Sequence, residues 1–361
     1  MLGIQKVYPN NNIEISLLTC SSGQESSESW GHSALRVIDY DNSTDITYNF
    51  GLYDFNAPNF YLKFIQGKLR YQLGIQNTEA FFDYYISEGR HVVEQKLNLS
   101  DESEKKIIDK LKYLYKPENR FYYYKFVGNN CTTALRDLIF SNVNTDFNNK
   151  LINKTSRIII SEYFTEQLWT KFGLNLILGY SVDKRIEIYK SMFLPDYLSG
   201  ELRKVKVNGK NLVINEKTYN FSKKNATNYP FLLNPTFVLS VLALFVLLYK
   251  SSKFQGLIFI IVGLFGLLVF SITIFTEHQE LKNNFNLFWC NPLHLISAVF
   301  LFAKTKIKLQ MYLSILLMTL IIGMIVIWIW NIQSFENGFL PIVLILSIYN
   351  FRIIKTGYNI L

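Results

Sequence analysis

Three residues of this 361-residue chain have the types and the order that covalent catalysis by a thiol needs: His32 in "SWGHSALRV", Asn49 in "TYNFG" and Cys131 in "FVGNNCTTALRD". Either Asn129 or Asn130 is a natural N-cap. Ala134, Leu135, Leu138 and Ile139 follow at helical spacing, which predicts a helix beginning at Cys131. A thiol in the first turn of a helix faces the positive end of the helix dipole, which favours the thiolate, the nucleophilic form. Such a thiol needs a base, and of the four histidines only His32 and His91 precede the apolar part of the chain. His32 opens a predicted strand after Gly31, and His91 sits in "GRHVVEQ", also strand-like. A third polar group usually orients the base. Asn49, on the following strand, fits that role, with Asp54 as the alternate. Composition alone favours plainer readings: free cysteine is among the most buried residue types, and a lone histidine is more often a hydrogen-bonded structural group. A Cys20–Cys131 disulfide in an oxidising compartment would also abolish the nucleophile.

The elements that must position these residues belong to an α+β pattern. "IEISLLTC" (13–20), "SALRVIDY" (33–40) and "DITYNFGLYDF" (45–55) read as strands, the last after the turn residues Asp41, Asn42 and Ser43. Residues 78–89 read as a helix capped by Thr78 and stopped by Gly89. Residues 100–117 are the clearest helix, capped by Ser100 and striped by Ile107, Leu111 and Leu114. Asn208-Gly209 between apolar runs marks a hairpin over 205–214. The domain boundaries expected are 1–214, a polar linker over 215–230, and a membrane domain over 231–361.

From Phe231 the chain is almost continuously apolar, in five stretches at 231–249, 255–275, 287–303, 309–330 and 337–351. A helix needs roughly 20 apolar residues to cross a bilayer, which the second and fourth meet; the third and fifth are short, which suits a tilted or re-entrant segment or one stacked behind the others. Lys250, Lys253, Lys304, Lys306, Lys308, Arg352 and Lys355 fall in alternate loops. The positive-inside rule places these loops in the cytoplasm, the loops 276–286 and 331–338 outside, and with them residues 1–230. A domain of that size outside expects an export signal. "MLGIQKVYPN" lacks the form of one, so the signal is expected to have been removed or to lie upstream. The net charge of +9 is spread without a nucleic-acid stripe, and no nucleic acid is expected as a partner. No C-x-x-C pair suggests zinc, and Cys290, inside an apolar run, reads as inert. The loop 276–286 gathers Glu277, His278, Glu280, Asn283, Asn284 and Asn286. It reads either as a functional polar set beside the membrane or as a solvated loop.

The segments "LLTCSSGQESSESWGHSALRV", "YNFGLYDFNAPNFYLKFIQGKLRYQLG", "FVGNNCTTALRD" and "TEHQELKNNFNLFWCNPLHL" resemble the Bacteroidota-type lipoprotein N-acyltransferases. The resemblance runs from about residue 13 to 303. It implies a circularly permuted papain-like exported domain, similar to lecithin:retinol acyltransferase, with the order His32, Asn49, Cys131. It is followed by an all-α membrane domain of about five helices. The same resemblance makes His32 and Cys131 the catalytic pair, and sets Ser33, Asn130, Thr132, His278 and Asn291 as substrate-binding candidates. It implies residence in the bacterial inner membrane with a periplasmic N-terminal domain. The acyl donor would be a membrane phospholipid and the acceptor the α-amine of a diacylated lipoprotein, with no cofactor and no metal. Rival readings are a cell-wall peptidase, a membrane phospholipase or thioesterase, and a non-enzymatic scaffold.

Overall fold

The computed structural model describes residues 12–23, 28–54, 56, 58–221, 231–249 and 251–359. The opening decapeptide, residues 222–230 of the expected linker and Lys250 lie outside them. Two compact units emerge: Met1–Asn153 with Ile186–Asn225, and Lys154–Arg185 with Ala226–Leu361.

The first unit runs β1 (Ile13–Cys20), β2 (His32–Asp39), β3 (Thr44–Leu52), α1 (Phe60–Gln66), β4 (Arg70–Asn77), α2 (Thr78–Ser87), β5 (Val92–Leu97), α3 (Asp101–Tyr115), β6 (Phe121–Tyr123) and α4 (Cys131–Asn142). The chain then contributes α5 (Ser156–Glu162) and α6 (Leu168–Ile177) to the second unit before returning with α7 (Pro195–Leu202) and β7 (Val213–Tyr219). One antiparallel sheet takes the order β7-β5-β1-β2-β3-β4-β6. Side chains alternate across a strand, so β1 serves two layers. Ile15 and Leu17 pack with Leu35 of β2 and with Ile107, Leu135, Leu138 and Leu198, from α3, α4 and α7. Leu18 and Cys20 pack with Ala34, Phe81, Tyr85 and Val92, from α2 and its neighbours. The α+β class is therefore met by a sheet clothed on both faces.

Several expectations hold and others need correction. Ser100 caps α3 as expected, its side chain accepting from Ser103 N. The 205–214 hairpin forms between Lys206–Val207 and Lys210–Asn211, with positive φ at Asn208 and Gly209. The cap of α2 is Asn77 rather than Thr78. Asn77 Oδ1 accepts from Glu79 N, while the buried Thr78 hydroxyl is paired with Thr47 Oγ1 at 2.9 Å. The expected linker starts too early, because residues through Tyr219 complete β7. That strand reads as polar because its pairing is polar: Gln95 Nε2 donates to Glu216 Oε2 at 2.8 Å and the Tyr219 hydroxyl to Glu94 Oε2 at 2.9 Å.

Among its described residues the second unit carries five apolar helices: α8 (Pro235–Leu248), α9 (Ser252–Phe275), α10 (Leu293–Ala303), α11 (Ile307–Ile329) and α12 (Phe339–Tyr358). Four stretches, Ser252–Phe275, Gln279–Ala303, Ile307–Ile329 and Phe339–Tyr358, are long and apolar enough to cross a membrane; Pro235–Val246 is shorter. The fifth is thus not short, because it continues helical past Arg352 and Lys355, whereas the third is short as a continuous helix and reaches spanning length only with the stretch from Gln279, and the first is short as well. Close packing of the bundle depends on small residues, and a Cβ on Gly266 would meet Cys290 O at 2.6 Å. The loops 276–286 and 331–338 share one end of the bundle, where Gln333 Oε1 accepts from Phe285 N and Gln333 Nε2 donates to Asn284 Oδ1. At the other end Gly256 meets Phe302 and Gly357 meets Met311. That end carries Lys253, Lys304, Lys306, Lys308, Arg352 and Lys355.

Candidate active site

Cys131 begins α4, and Asn130 is its cap with a full capping box. Asn130 Oδ1 accepts from Thr133 N at 2.9 Å, while the Thr133 hydroxyl accepts from Asn130 N at 2.8 Å. Such a cap contributes about 1 kcal/mol to helix stability. The Asn130 amide also donates to Phe126 O at 2.6 Å and Phe193 O at 2.9 Å, so both of its ends are engaged in holding the start of α4.

His32 opens β2 opposite Cys20 of β1. Gly31 before it has φ of 75°, and a Cβ there would strike Cys20 O at 2.4 Å, so only glycine fits this turn. Leu35 of β2 stands opposite Tyr48 of β3. Extending that register puts His32 and Asn49 on one face as diagonal neighbours, within reach of long side chains. The contact forms: His32 Nε2 lies 2.9 Å from Asn49 Oδ1. That same oxygen accepts from Gly51 N at 2.7 Å, which fixes it as an acceptor. His32 therefore carries its proton on Nε2, leaving Nδ1 for Cys131, with which it is hydrogen-bonded. Gly51 makes the room, since a Cβ there would sit 2.6 Å from His32 Cε1.

The electrostatics favour an ionised thiol. Burial alone would raise the Cys131 pKa. The charge and hydrogen bond of His32, the Ser33 N–H and the Thr132 hydroxyl outweigh it and bring Cys131 down to about 7. A thiol with that pKa is about half thiolate at neutral pH, against a few per cent for an ordinary cysteine. His32 is affected by burial, which lowers it, but the Cys131 charge and the bonds from Cys131 and Asn49 prevail and raise it; Arg90 opposes them. Cys20 is the opposite case. It is buried and free, pushed up to about 12 by burial, and Cys131 is free as well, so no disulfide joins them.

His32 and Cys131 face a cavity of about 310 Å³ that is also lined by Asn49, Asn130 and Thr132. One end is charged: Arg90 Nη1 is 2.6 Å from Glu28 Oε1, and the Tyr84 hydroxyl donates to the same oxygen at 2.7 Å. The other end is aromatic, with Tyr53, Tyr71 and Tyr124 in ring contact at 4.5 to 4.7 Å between centroids. Sequence reasoning missed Glu28, Arg90 and these tyrosines. The aromatic run "FYYYKF" at 121–126 was a usable signal; nothing local marks Arg90 or Glu28. Ser33 is fully buried, its hydroxyl 3.1 Å from Thr132 Oγ1, and it braces β2 against α4 rather than lining the cavity. The alternates are placed elsewhere. His91 N is bonded to Ser21 Oγ outside the cavity wall, and Asp54 Oδ1 accepts from Asn56 N in an exposed turn.

His278 and Asn291 belong to the second unit. His278 is buried, with Nδ1 3.2 Å from Glu280 Oε1, itself buried. Asn291 Oδ1 accepts from Leu293 N and its amide donates to Leu287 O, both within the turn that starts α10. The loop around them is solvated only in part: Glu277 and Asn283 are exposed, while Asn284 and Asn286 are buried and donate to the backbone carbonyls of Asn175 and Leu176.

Two family models match the chain in tandem. The Lnb N-terminal periplasmic domain matches residues 3–162, and the Lnb transmembrane domain matches residues 222–359. No curated protein and no solved structure matches it.

Proposed function

This chain belongs to the Lnb family of membrane-associated, lipoprotein-modifying proteins, and we propose that it is an apolipoprotein N-acyltransferase working through a Cys131 thioester. The observation that carries this reading is the His32–Asn49 hydrogen bond beside a Cys131 thiol drawn down to about 7, on the wall of one aromatic-lined cavity. The order His32, Asn49, Cys131, with the cysteine at a helix start packed on a sheet, is that of a permuted papain-like centre.

His32 Nδ1 takes the thiol proton, and the thiolate attacks an ester carbonyl of a membrane phospholipid. The carbon–oxygen bond breaks, His32 returns the proton to the departing lysophospholipid, and acyl-Cys131 remains. The α-amine of a diacylglyceryl-cysteine then attacks the thioester. Its surplus proton goes to His32, the carbon–sulfur bond breaks, and an amide leaves the thiolate–imidazolium pair restored. Asn49 holds the imidazole by Nε2 throughout. The capping box uses the Thr133 N–H, so the N–H groups of Cys131 and Thr132 are the donors of that turn suited to an oxyanion. Asn130, Ser33 and Thr132 act by positioning. His278 and Asn291 retain a proposed role toward the lipid substrates. The basic end of the bundle favours a cytoplasmic C-terminus and a periplasmic first unit.

The test is intact-mass spectrometry of detergent-purified protein after incubation with phospholipid. Wild type gains a hydroxylamine-labile acyl adduct, Cys131→Ala does not, and a diacyl lipopeptide discharges the adduct as an amide. An adduct discharged by water at the same rate with or without lipopeptide makes the protein a phospholipase. No adduct on folded, reduced wild type ends the acyl-enzyme reading.

A further inference from the structure

We infer that α1 and the tyrosines behind it form the entry for the phospholipid donor, with α1 lying against the lipid surface; this deepens the acyltransferase reading and rests on it. Four side chains of this seven-residue helix are exposed: Tyr61 (77 %), Leu62 (55 %), Phe64 (37 %) and Ile65 (39 %). None of its residues is buried. Exposed apolar side chains scattered singly are ordinary, whereas four on one short helix mark a contact surface.

The chemistry of the segment selects a lipid as the occupant. Lys63, Lys68 and Arg70 accompany the apolar side chains, and no acidic residue occurs between Asp54 and Glu79. Apolar side chains interleaved with cations suit the boundary between acyl chains and anionic phosphodiesters. The same chain carries four stretches able to cross a bilayer, so the first unit is tethered to one.

Continuity with the cavity argues the rest. Phe60 lies 5.6 Å from Tyr53, and Phe64 is stacked 5.9 Å from Tyr124, centroid to centroid. Tyr53 and Tyr124 both meet Tyr71. All three tyrosines line the cavity that holds Cys131. Ring contacts thus run from the exposed helix to the wall of the cavity that the thiol also lines. An acyl chain following them keeps apolar contact while its ester approaches Cys131.

The experiment uses the full chain in phospholipid nanodiscs, wild type and the double variant Tyr61→Asp with Leu62→Asp, chosen because both side chains project outward. Acyl-Cys131 formation from bilayer phospholipid should fall about tenfold or more, the scale of losing two apolar anchors. Thermal unfolding and the iodoacetamide alkylation rate of Cys131 should stay as in wild type, showing an intact fold and thiolate. Acylation within about twofold of wild type, on a scale where tenfold is 1.4 kcal/mol, overturns the inference. A phospholipid with a diazirine in its acyl chain supplies a readout independent of turnover. Photolabel within residues 58–70 supports the entry, and label confined to the apolar helices overturns it. Wild type that forms no acyl adduct but labels at 58–70 would overturn the acyltransferase reading while leaving the lipid contact standing.

Discussion

The cavity around Cys131 and the stretch from Asn284 to Asn291 are both rich in polar side chains, yet they use them in opposite ways. At the cavity, His32, Asn49 and Cys131 come from three separate elements and turn toward one another and toward unfilled space. In the other stretch, Asn284, Asn286 and Asn291 reach for backbone carbonyls and N–H groups and close off buried surface. Buried polar groups must be paired, and pairing with backbone is how a scaffold meets that demand. A side chain paired instead with another titratable side chain beside a cavity has its chemistry left available. Polarity alone does not separate the two cases; the identity of the partners does.

Substitutions can sharpen or break this contrast. The largest effect is expected from His32→Ala. Acylation should fall by about 10²–10⁴-fold, the usual contribution of a general base. The pH profile supplies the sign. In wild type, Cys131 alkylation should rise through about pH 7. Without the imidazolium the thiolate is less stabilised, so the rise should move to higher pH, and an unmoved profile would remove His32 from the site. Asn49→Ala should come next, with a loss of roughly tenfold to a hundredfold, because the imidazole loses its Nε2 partner but remains in place. Its alkylation profile should shift upward by less than that of His32→Ala, since the Asn49 bond helps raise His32. Asn286→Ala should do least to the chemistry. It removes one donor each from the carbonyls of Asn175 and Leu176 and leaves the buried Trp289 Nε1 without its acceptor, and should cost about 1–3 kcal/mol of stability in detergent unfolding. Cys131 alkylation should be unchanged; if it collapses, the contrast drawn above is wrong.

The sequence made the juxtaposition of the candidate trio legible because each member sits in a local pattern: a glycine before His32, a cap before Cys131, and a strand spacing that places Asn49. The rest of the cavity depends on register. Tyr53, Tyr71, Tyr124 and Arg90 lie near Cys131 only once seven strands are ordered, and no short-range pattern encodes that order. β7 was hidden by composition, because its run of Asn215, Glu216, Lys217 and Thr218 looks like linker until Gln95 and Glu94 are seen to pair with the strand. The helices after Phe231 were legible from length and apolarity. The limits of the fifth were not, because Arg352 and Lys355 continue the helix while ending the apolar run.

The excursion through residues 154–185 also bears on how the protein is made. Arg157 gathers this segment, bonding Asp183, Asn175 Oδ1 and the carbonyls of Leu178 and Gly179. Leu176, Phe172 and Ile177 pack into the core of the second unit. During synthesis this segment leaves the ribosome well before the helices that complete that core, so it must wait with apolar surface uncovered while the first unit folds around its absence. A truncated protein ending near residue 221 would keep the waiting segment and never receive its partners. A fragment of the first unit for crystallisation should therefore replace 154–185 with a short flexible bridge.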